Sequence, residues 1–444
     1  MKIGLIAMSG VRACDKELRE LGLTLPGFVE RGKVIASLPS VGLLTLAGLT
    51  PKKYEVEYFE IADLKKLTNI PKNFDMVAIS SFSAQIFEAY ELAQYYKANL
   101  RIPVIMGGLH VSSLPEEAIQ YCDSVVIGEG ELSWLDMLED CERHSLKPFY
   151  GSLTAEFDMS ESPMPAFELL DIERYNRLTV QTSRGCPFRC DFCASSILIT
   201  RRYKQKPIQK VLNEIDKIKS IWKRPFIEFA DDNSFVNRNY WKELLPQIKK
   251  RKIKWFTETD ISVGADDELL ELIRDSGCAE VLIGLESPIK AGLDGIELKS
   301  NWKLKQWAKY KEAIRKIQSH GIRVNGCFMI GLDGHGPEIF EEVFDFVEEL
   351  MLFDVQITVP TPFPGTPLYE RCKRDGRLLE ERAWDKCTLF DINFKPKGMS
   401  SEELRNGFIE LGKRLYCREF TSRRRKHFEE ICRTSSYQKM GVIS

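Results

Sequence analysis

Three cysteines, Cys186, Cys190 and Cys193, fall within eight residues of a 444-residue chain. Thiolates are the usual ligands of iron-sulfur clusters, which normally take four of them. A triplet with no fourth cysteine nearby leaves one iron open to a small molecule, and its chemistry is then one-electron chemistry. Two other readings stand beside it: three unrelated buried cysteines, or a zinc site completed from elsewhere. A structural zinc site wants four closed ligands, often in paired spacing, and no histidine lies between His144 and His320 to complete one. The remaining cysteines, spread from Cys14 to Cys432, read as reduced thiols, most of them buried small hydrophobes.

Polar residues recur wherever an apolar run ends. In the second half these are Asp231-Asp232-Asn233, Glu258-Thr259-Asp260, Gly284-Leu285-Glu286-Ser287 and Gly331-Leu332-Asp333-Gly334. If each run is a barrel strand, these ends converge on the barrel mouth, where active sites gather. Gly331 and Gly334 there permit close backbone approach. In the first half, Met8-Ser9-Gly10-Val11, Ser80-Ser81-Phe82-Ser83 and Gly107-Gly108-Leu109-His110 follow strand-like runs, and Ile127-Gly128-Glu129-Gly130-Glu131 turns into a helix. Paired glycines let a bulky ligand press on backbone, and the small hydroxyls leave room and donors.

The elements that must position these residues follow from periodicity. Residues 1–142 alternate apolar runs with amphipathic stretches, which predicts a parallel α/β sheet of Rossmann-like or flavodoxin-like plan. Its strands are expected at Ile3–Ala7, Val56–Phe59, Met76–Ser80, Val104–Met106 and Val125–Ile127, with a helix from about Gln85 to Asn99. The pattern breaks over 143–175, where Ser160-Glu161-Ser162-Pro163-Met164-Pro165 reads as linker. Residues 176–362 offer six strands, Leu178–Thr182, Phe226–Ala230, Trp255–Thr259, Val281–Leu285, Val324–Ile330 and Val355–Val359, and so a partial (β/α)6 TIM-type barrel. Residues 363–444 form a helical C-terminal extension after the loop Pro362-Phe363-Pro364-Gly365-Thr366-Pro367. The formal net charge of −2 advertises no nucleic-acid partner. The short apolar start lacks a signal-peptide pattern, and no stretch approaches the roughly twenty apolar residues of a membrane span. A soluble, cytoplasmic protein is expected.

The run Thr182-Ser183-Arg184-Gly185-Cys186-Pro187-Phe188-Arg189-Cys190-Asp191-Phe192-Cys193, following a strand, resembles the radical S-adenosylmethionine (SAM) superfamily. The resemblance implies a 4Fe-4S cluster on the three cysteines, an open iron that chelates the amino and carboxylate groups of SAM, and cleavage of SAM to a 5'-deoxyadenosyl radical. It places Phe192 at the adenine and Glu286 in the role of the fourth-strand acid that contacts SAM, with Asp232, Asp260 and Gly331 as further SAM-side positions. Arg201 and Arg202 are candidates for the SAM carboxylate. With the first-half loops, and with Pro39-x-x-Gly42-Leu43-Leu44-x-Leu46-Ala47 and Leu114-Pro115-Glu116-Glu117-Ala118, the chain resembles the cobalamin-binding subfamily over nearly its whole length. That implies cobalamin at Ser9, Gly10, Ser80, Ser81, Gly107, Gly108, His110, Gly128 and Glu129. The Asp-x-His-x-x-Gly motif that supplies a cobalt-ligating histidine is missing, and His110 is a poor substitute, because a lone loop histidine more often hydrogen-bonds locally.

The resemblance implies a radical methyltransferase acting on an unactivated carbon, with an external electron donor such as flavodoxin or ferredoxin. A cyclase, oxidase or carbon-carbon coupling enzyme without methyl transfer stays open, as does a non-catalytic cobalamin or cluster sensor. Phe363, Tyr369, Trp384, Phe390 and Phe394 are candidates to line an apolar pocket, although such residues are more often core. They suggest a hydrophobic small molecule, polycyclic or lipid. The run Arg423-Arg424-Arg425-Lys426 reads as a solvated helix face or, more sharply, a contact with anionic lipid or substrate. Peripheral membrane association without a span therefore stays open.

Overall fold

The computed structural model describes residues 1–20, 38–195 and 202–439, the side chains of 435–439 excepted. Six parallel strands build the first sheet: β1 (Lys2–Met8), β2 (Glu55–Ile61), β3 (Met76–Ser80), β4 (Val104–Gly107), β5 (Ser124–Ile127) and β6 (Phe149–Gly151), in the order β2-β1-β3-β4-β5-β6. The central strands are covered on both faces, which is why they read as continuous apolar runs. Alternate residues serve opposite cores. Ile6, Val77, Ile79 and Val104 pack into one, and Ile3, Leu5, Met76 and Ile105 into the other, as a period of two requires. The strand order is flavodoxin-like and reverses between β1 and β3, the position where an open α/β sheet binds ligands.

β6 lies inside 143–175, the stretch read as linker. It pairs in parallel with β5, and Tyr150 is buried with its hydroxyl donating to Asp140 at 2.7 Å. Three residues are too few to show a period. Only pairing with a formed neighbour makes this segment a strand.

After β7 (Leu178–Val180), a two-residue antiparallel ribbon, β8 (Ser183–Arg184) with β9 (Lys204–Gln205), frames the cysteine segment. Then follow β10 (Phe226–Phe229), β11 (Lys254–Thr259), β12 (Cys278–Glu286), β13 (Arg323–Met329) and β14 (Asp354–Thr358). The sheet runs β14-β13-β12-β11-β10-β7, all parallel, with no pairing between its outer strands among the described residues, so the barrel is partial. Amphipathic helices cover its outside. In the helix Ile208–Ile221, Val211, Leu212, Ile215 and Ile218 are buried on one stripe, the spacing that a helix lying on a sheet demands. Towards its end β12 carries a register shift between Gly284 and Glu286.

The C-terminal extension straps both units. Trp384 and Tyr369 pack into the first domain's core, while Phe390 and Phe394 join the barrel core. None of these four forms a free apolar wall, although Phe394 lines one small cavity described below. The helices Ser401–Tyr416 and Arg418–Lys439 are separate, the first started by a Ser400–Glu403 capping box that satisfies two orphan donors. Within the basic run, Arg424 is fully buried and donates to the carbonyls of Leu352, Phe353 and Leu415. Carbonyls at helix ends lack partners of their own, so this arginine is a structural tie rather than a lipid contact, and Arg423 pairs with Glu348. Among the described residues no helix is long and apolar enough to cross a membrane.

Candidate active site

The cysteine loop begins where β7 ends, and buried carboxylates hold it. Asp231, at the end of β10, accepts from the Thr182 and Ser183 amides at 2.7 and 2.9 Å and from the Ser234 hydroxyl at 3.0 Å. Burial pushes its carboxyl up, and those bonds work against the push. Asp232 accepts from the Gly185 amide at 2.8 Å, where the backbone turns through a positive φ of 84°. On the far side, Cys190 forms an antiparallel bridge with Glu297, and the Asp191 amide donates to Ile296 at 2.8 Å. Asp191 also pairs with Arg371 of the extension. Short chain segments from both sides thus fix the loop.

Three thiols on one short loop are the donor type that an iron-sulfur cluster takes. The thiols feel one another: burial first, and then each other's charge among the further causes, push Cys186 up to about 11 and Cys190 higher still. Asn233 reaches Cys186 at 3.9 Å. Among the described residues no group of three His, Cys, Asp or Glu side chains is arranged to hold a metal ion.

Around the mouth, the residues assigned to SAM fall into two groups. Phe192 and Gly331 line one small cavity with Met329, Leu332 and Phe394. Gly331 has φ 100°, and a Cβ there would meet Leu404 at 2.8 Å, so the extension's helix also requires the glycine. Gly334 likewise admits Ala291, whose carbonyl oxygen would lie 2.0 Å from a Cβ. Asp232 and Asp260, by contrast, are engaged with protein. Asp232 holds Gly185 and Ser195, while Asp260 accepts from Asn233 and from the Ser262 amide, both at 2.8 Å. Glu286 sits in the β12 irregularity with φ 62°, a conformation that costs a non-glycine roughly 1–3 kcal/mol and collects at functional sites. Its carboxylate pairs with Lys303 at 3.0 Å. Arg202 is exposed and faces Glu156 at 3.4 Å rather than the mouth; Arg201 lies outside the described residues.

A cavity of about 300 Å³ opens at the C-terminal ends of the first sheet. Of the residues assigned to cobalamin, Ser80, Gly107, Gly108, Gly128 and Glu129 line it. Gly108 has φ 104°, and a Cβ would crowd Ser80 at 3.3 Å. Ala78, Ile79, Ile105 and Val126 form an apolar floor, and Val41, Leu43, Leu46 and Trp134 add walls. A broad apolar bed with bare backbone at its edge suits a large flat cofactor. Ser9, Gly10, Ser81 and His110 are not part of this lining. Gly10 is small because Ala62 is close: a Cβ would lie 1.7 Å from its carbonyl oxygen. Ser9 bonds Ile61, and Ser81 bonds the carbonyl of Phe82. His110 is buried between Tyr90 and Trp384 and bonds Ser83 at 3.0 Å. Burial, opposed by Glu117, holds it below the usual imidazole range. No histidine lines the cavity.

Gln181, Arg184 and Ser195 close the cavity from the barrel side, and the last two bracket the cysteine loop. Arg184 pairs with Glu129 at 2.7 Å and with Glu131, while Lys204 also pairs with Glu129. Burial pushes the Glu129 carboxyl up, but bonds from Lys204, Phe157 and Arg184 outweigh it and hold the group below its usual range. Sequence reasoning missed Arg184, Lys204, Lys303, Glu297 and His335 as site residues. Only Arg184, inside the cysteine run, carried a local signal. His335 accepts from the Gly331 and Leu332 amides at Nδ1 and donates from Nε2 to Ser287.

Residues 180–347 match the Radical SAM superfamily, residues 32–135 a B12 binding domain, and residues 366–442 a domain of unknown function, DUF4070. The bacteriochlorophyllide d C-12(1)-methyltransferase of Chlorobaculum tepidum is 28% identical over 400 residues, 87% of this chain and 84% of that protein. The hopanoid C-2 methylase of Rhodopseudomonas palustris is 26% identical over 78% of this chain and 67% of its own length. The anaerobic magnesium-protoporphyrin IX monomethyl ester cyclase of Cereibacter sphaeroides is 24% identical over 78% and 60%. In fold, the chain is similar to the radical SAM methyltransferase TsrM of Kitasatospora setae, solved with cobalamin and a 4Fe-4S cluster. The TM-score is 0.65 at 15% identity, covering 98% of this chain and 99% of that one.

Proposed function

The chain belongs to the cobalamin-binding branch of the radical SAM superfamily, and from that membership we propose that it transfers a methyl group to an unactivated carbon of an apolar, polycyclic small molecule. Its cofactors are a 4Fe-4S cluster, SAM and cobalamin, which when bound supply a hydrogen-abstracting radical and a transferable methyl group.

The protein's own part is positioning. Cys186, Cys190 and Cys193 hold the cluster, and Asp231 and Asp232 hold the loop that carries them. Phe192, Gly331 and Glu286 meet SAM, while Asp260 acts one step back through Asn233. Ser80, Gly107, Gly108 and Gly128 leave room for the corrin, and Glu129 ties that bed to the barrel. The observation that carries this reading is the junction itself: one cavity is lined both by the sheet ends and by Arg184 and Ser195, the residues flanking the cysteine loop. That closeness lets two cofactors serve one substrate. Two relatives bear the names of a bacteriochlorophyllide methyltransferase and a hopanoid methylase, which supports a polycyclic substrate. The external one-electron donor is a protein of the flavodoxin or ferredoxin class.

The cyclase relative favours one alternative, ring formation without methyl transfer. Anaerobic turnover with methyl-labelled SAM separates the two. Label in the product, with both 5'-deoxyadenosine and S-adenosylhomocysteine, is expected; product without label would replace methyl transfer by the alternative. Replacing Cys186, Cys190 and Cys193 together by alanine is expected to abolish iron and sulfide content while cobalt content is kept, read by metal analysis and absorption.

A further inference from the structure

Beside the cysteine loop runs a segment that motif reading passes over. The Glu297 carboxylate, only 2% exposed as a residue, accepts from the amides of Arg189, Lys299, Ser300 and Trp302 at 2.8–3.1 Å, and from the Ser300 hydroxyl at 2.8 Å. So many donors outweigh burial and hold its carboxyl down at about 2. One of those amides belongs to the cysteine loop, so the carboxylate buckles the segment onto it. The Trp302 ring then stacks on Phe188 of the loop at 4.7 Å between centroids.

The next residue is Lys303. Its side chain is 12% exposed, and its amine donates to the Gly284 carbonyl at 2.6 Å and to Glu286 at 3.0 Å. Glu286 is 9% exposed. Lys303 directly follows Trp302, the residue that stacks on the cysteine loop. An ammonium this dry is costly unless it is paired, and Glu286 with the Gly284 carbonyl holds it in place.

We propose that Lys303 is a positioned charge that raises the reduction potential of the cluster on Cys186, Cys190 and Cys193, with Glu286 as its partial counterweight. This rests on reading the three cysteines as cluster ligands. Reduction adds one electron, drawn from an external one-electron donor, and therefore one negative charge to the cluster. A fixed positive charge nearby favours that state, and cluster potentials follow local net charge and solvent exposure. Low exposure keeps water from screening the effect. Glu286 works in the opposite direction, so removing it moves the potential the other way.

The test is an EPR-monitored redox titration of the full-length, anaerobically purified holoenzyme with dithionite and mediators, without substrate. Lys303→Met keeps the length of the side chain and removes its charge. At a fixed solution potential its ratio of reduced to oxidised cluster is expected to fall about tenfold, ~59 mV for a one-electron couple. Lys303→Arg stays near wild type, and Glu286→Gln shifts to the more positive side. A Lys303→Met protein with full iron and sulfide but an unchanged midpoint overturns the proposal, as does a shift of the same sign in Lys303→Met and Glu286→Gln. Should Lys303→Met fail to hold the cluster, Glu286→Gln decides alone, and a midpoint unchanged or more negative overturns it. Wild type without iron and sulfide would overturn the cluster reading itself. That outcome is distinct from variants that merely leave the potential where it was.

Discussion

Glu228, Glu258 and Glu286 face the barrel lumen, and their neighbours treat them differently. Ile227 and Phe229 pack outward, so Glu228 between them points in, where Arg177 pairs with it; Glu286 has Lys303. Glu258 is open to solvent at the lumen; the surrounding protein and then the charges of Glu228, Asp232 and Glu286 push its carboxyl up to about 7 from 4.5, an effect that lumen water screens in part. A raised carboxyl favours the protonated form in the folded state, so its contribution is complete below about pH 4.5 and is lost as pH rises through about 7. Glu258→Gln should therefore gain thermal stability relative to wild type across that window, measured as unfolding midpoints from pH 4.5 to 8; parallel curves would refute the assignment. His335 makes a second case at this scale. His335→Ala strands the Gly331 and Leu332 amides, while the Ser287 hydroxyl keeps Ile289. Denaturant unfolding should report a loss of about 1–3 kcal/mol.

Elements differ in how much of them local pattern reveals. β3 ends where its apolar run does, at Ser80, and β12 extends to Cys278 and Glu286 because its paired neighbours lengthen it. β6 shows no period, and only β5 gives it a place. The cysteine loop is an element of the second kind: its residue types are plain, while its shape depends on Asp231, Asp232 and Glu297 from elsewhere. Glu297→Ala should lower iron content severalfold while the far-UV circular dichroism and cobalt content stay at wild-type levels. Iron retained in full would show that the loop holds its form without this carboxylate.

At the scale of the molecule, the junction between the sheet and the barrel rests on Arg184, Glu129, Glu131 and Lys204. The Arg184 side chain is 12% exposed and those of its two partners 3% and 7%. Removing one partner of a buried pair strands the other, at a cost of roughly 3–5 kcal/mol. Arg184→Gln should weaken cobalamin retention at least tenfold and lower the unfolding temperature, read by absorbance titration and calorimetry. Unchanged retention would mean that the cofactor bed needs no support from the barrel side.

The α/β plan, five strands of the first sheet, six barrel strands and the cysteine triplet were legible in the chain itself, because side-chain period and residue spacing are local properties that survive without a fold. Which loops face a ligand was not. Gly107, Gly108 and Gly10 look alike along the chain, yet the first two line the cavity while Gly10 makes way for Ala62, some fifty residues on. His110 and Lys303 were equally mute: one is enclosed by Trp384 and the other drawn to Glu286. Partners so distant along the chain meet only after the sheets pack, and charge and burial are then set by that meeting rather than by any neighbour in sequence.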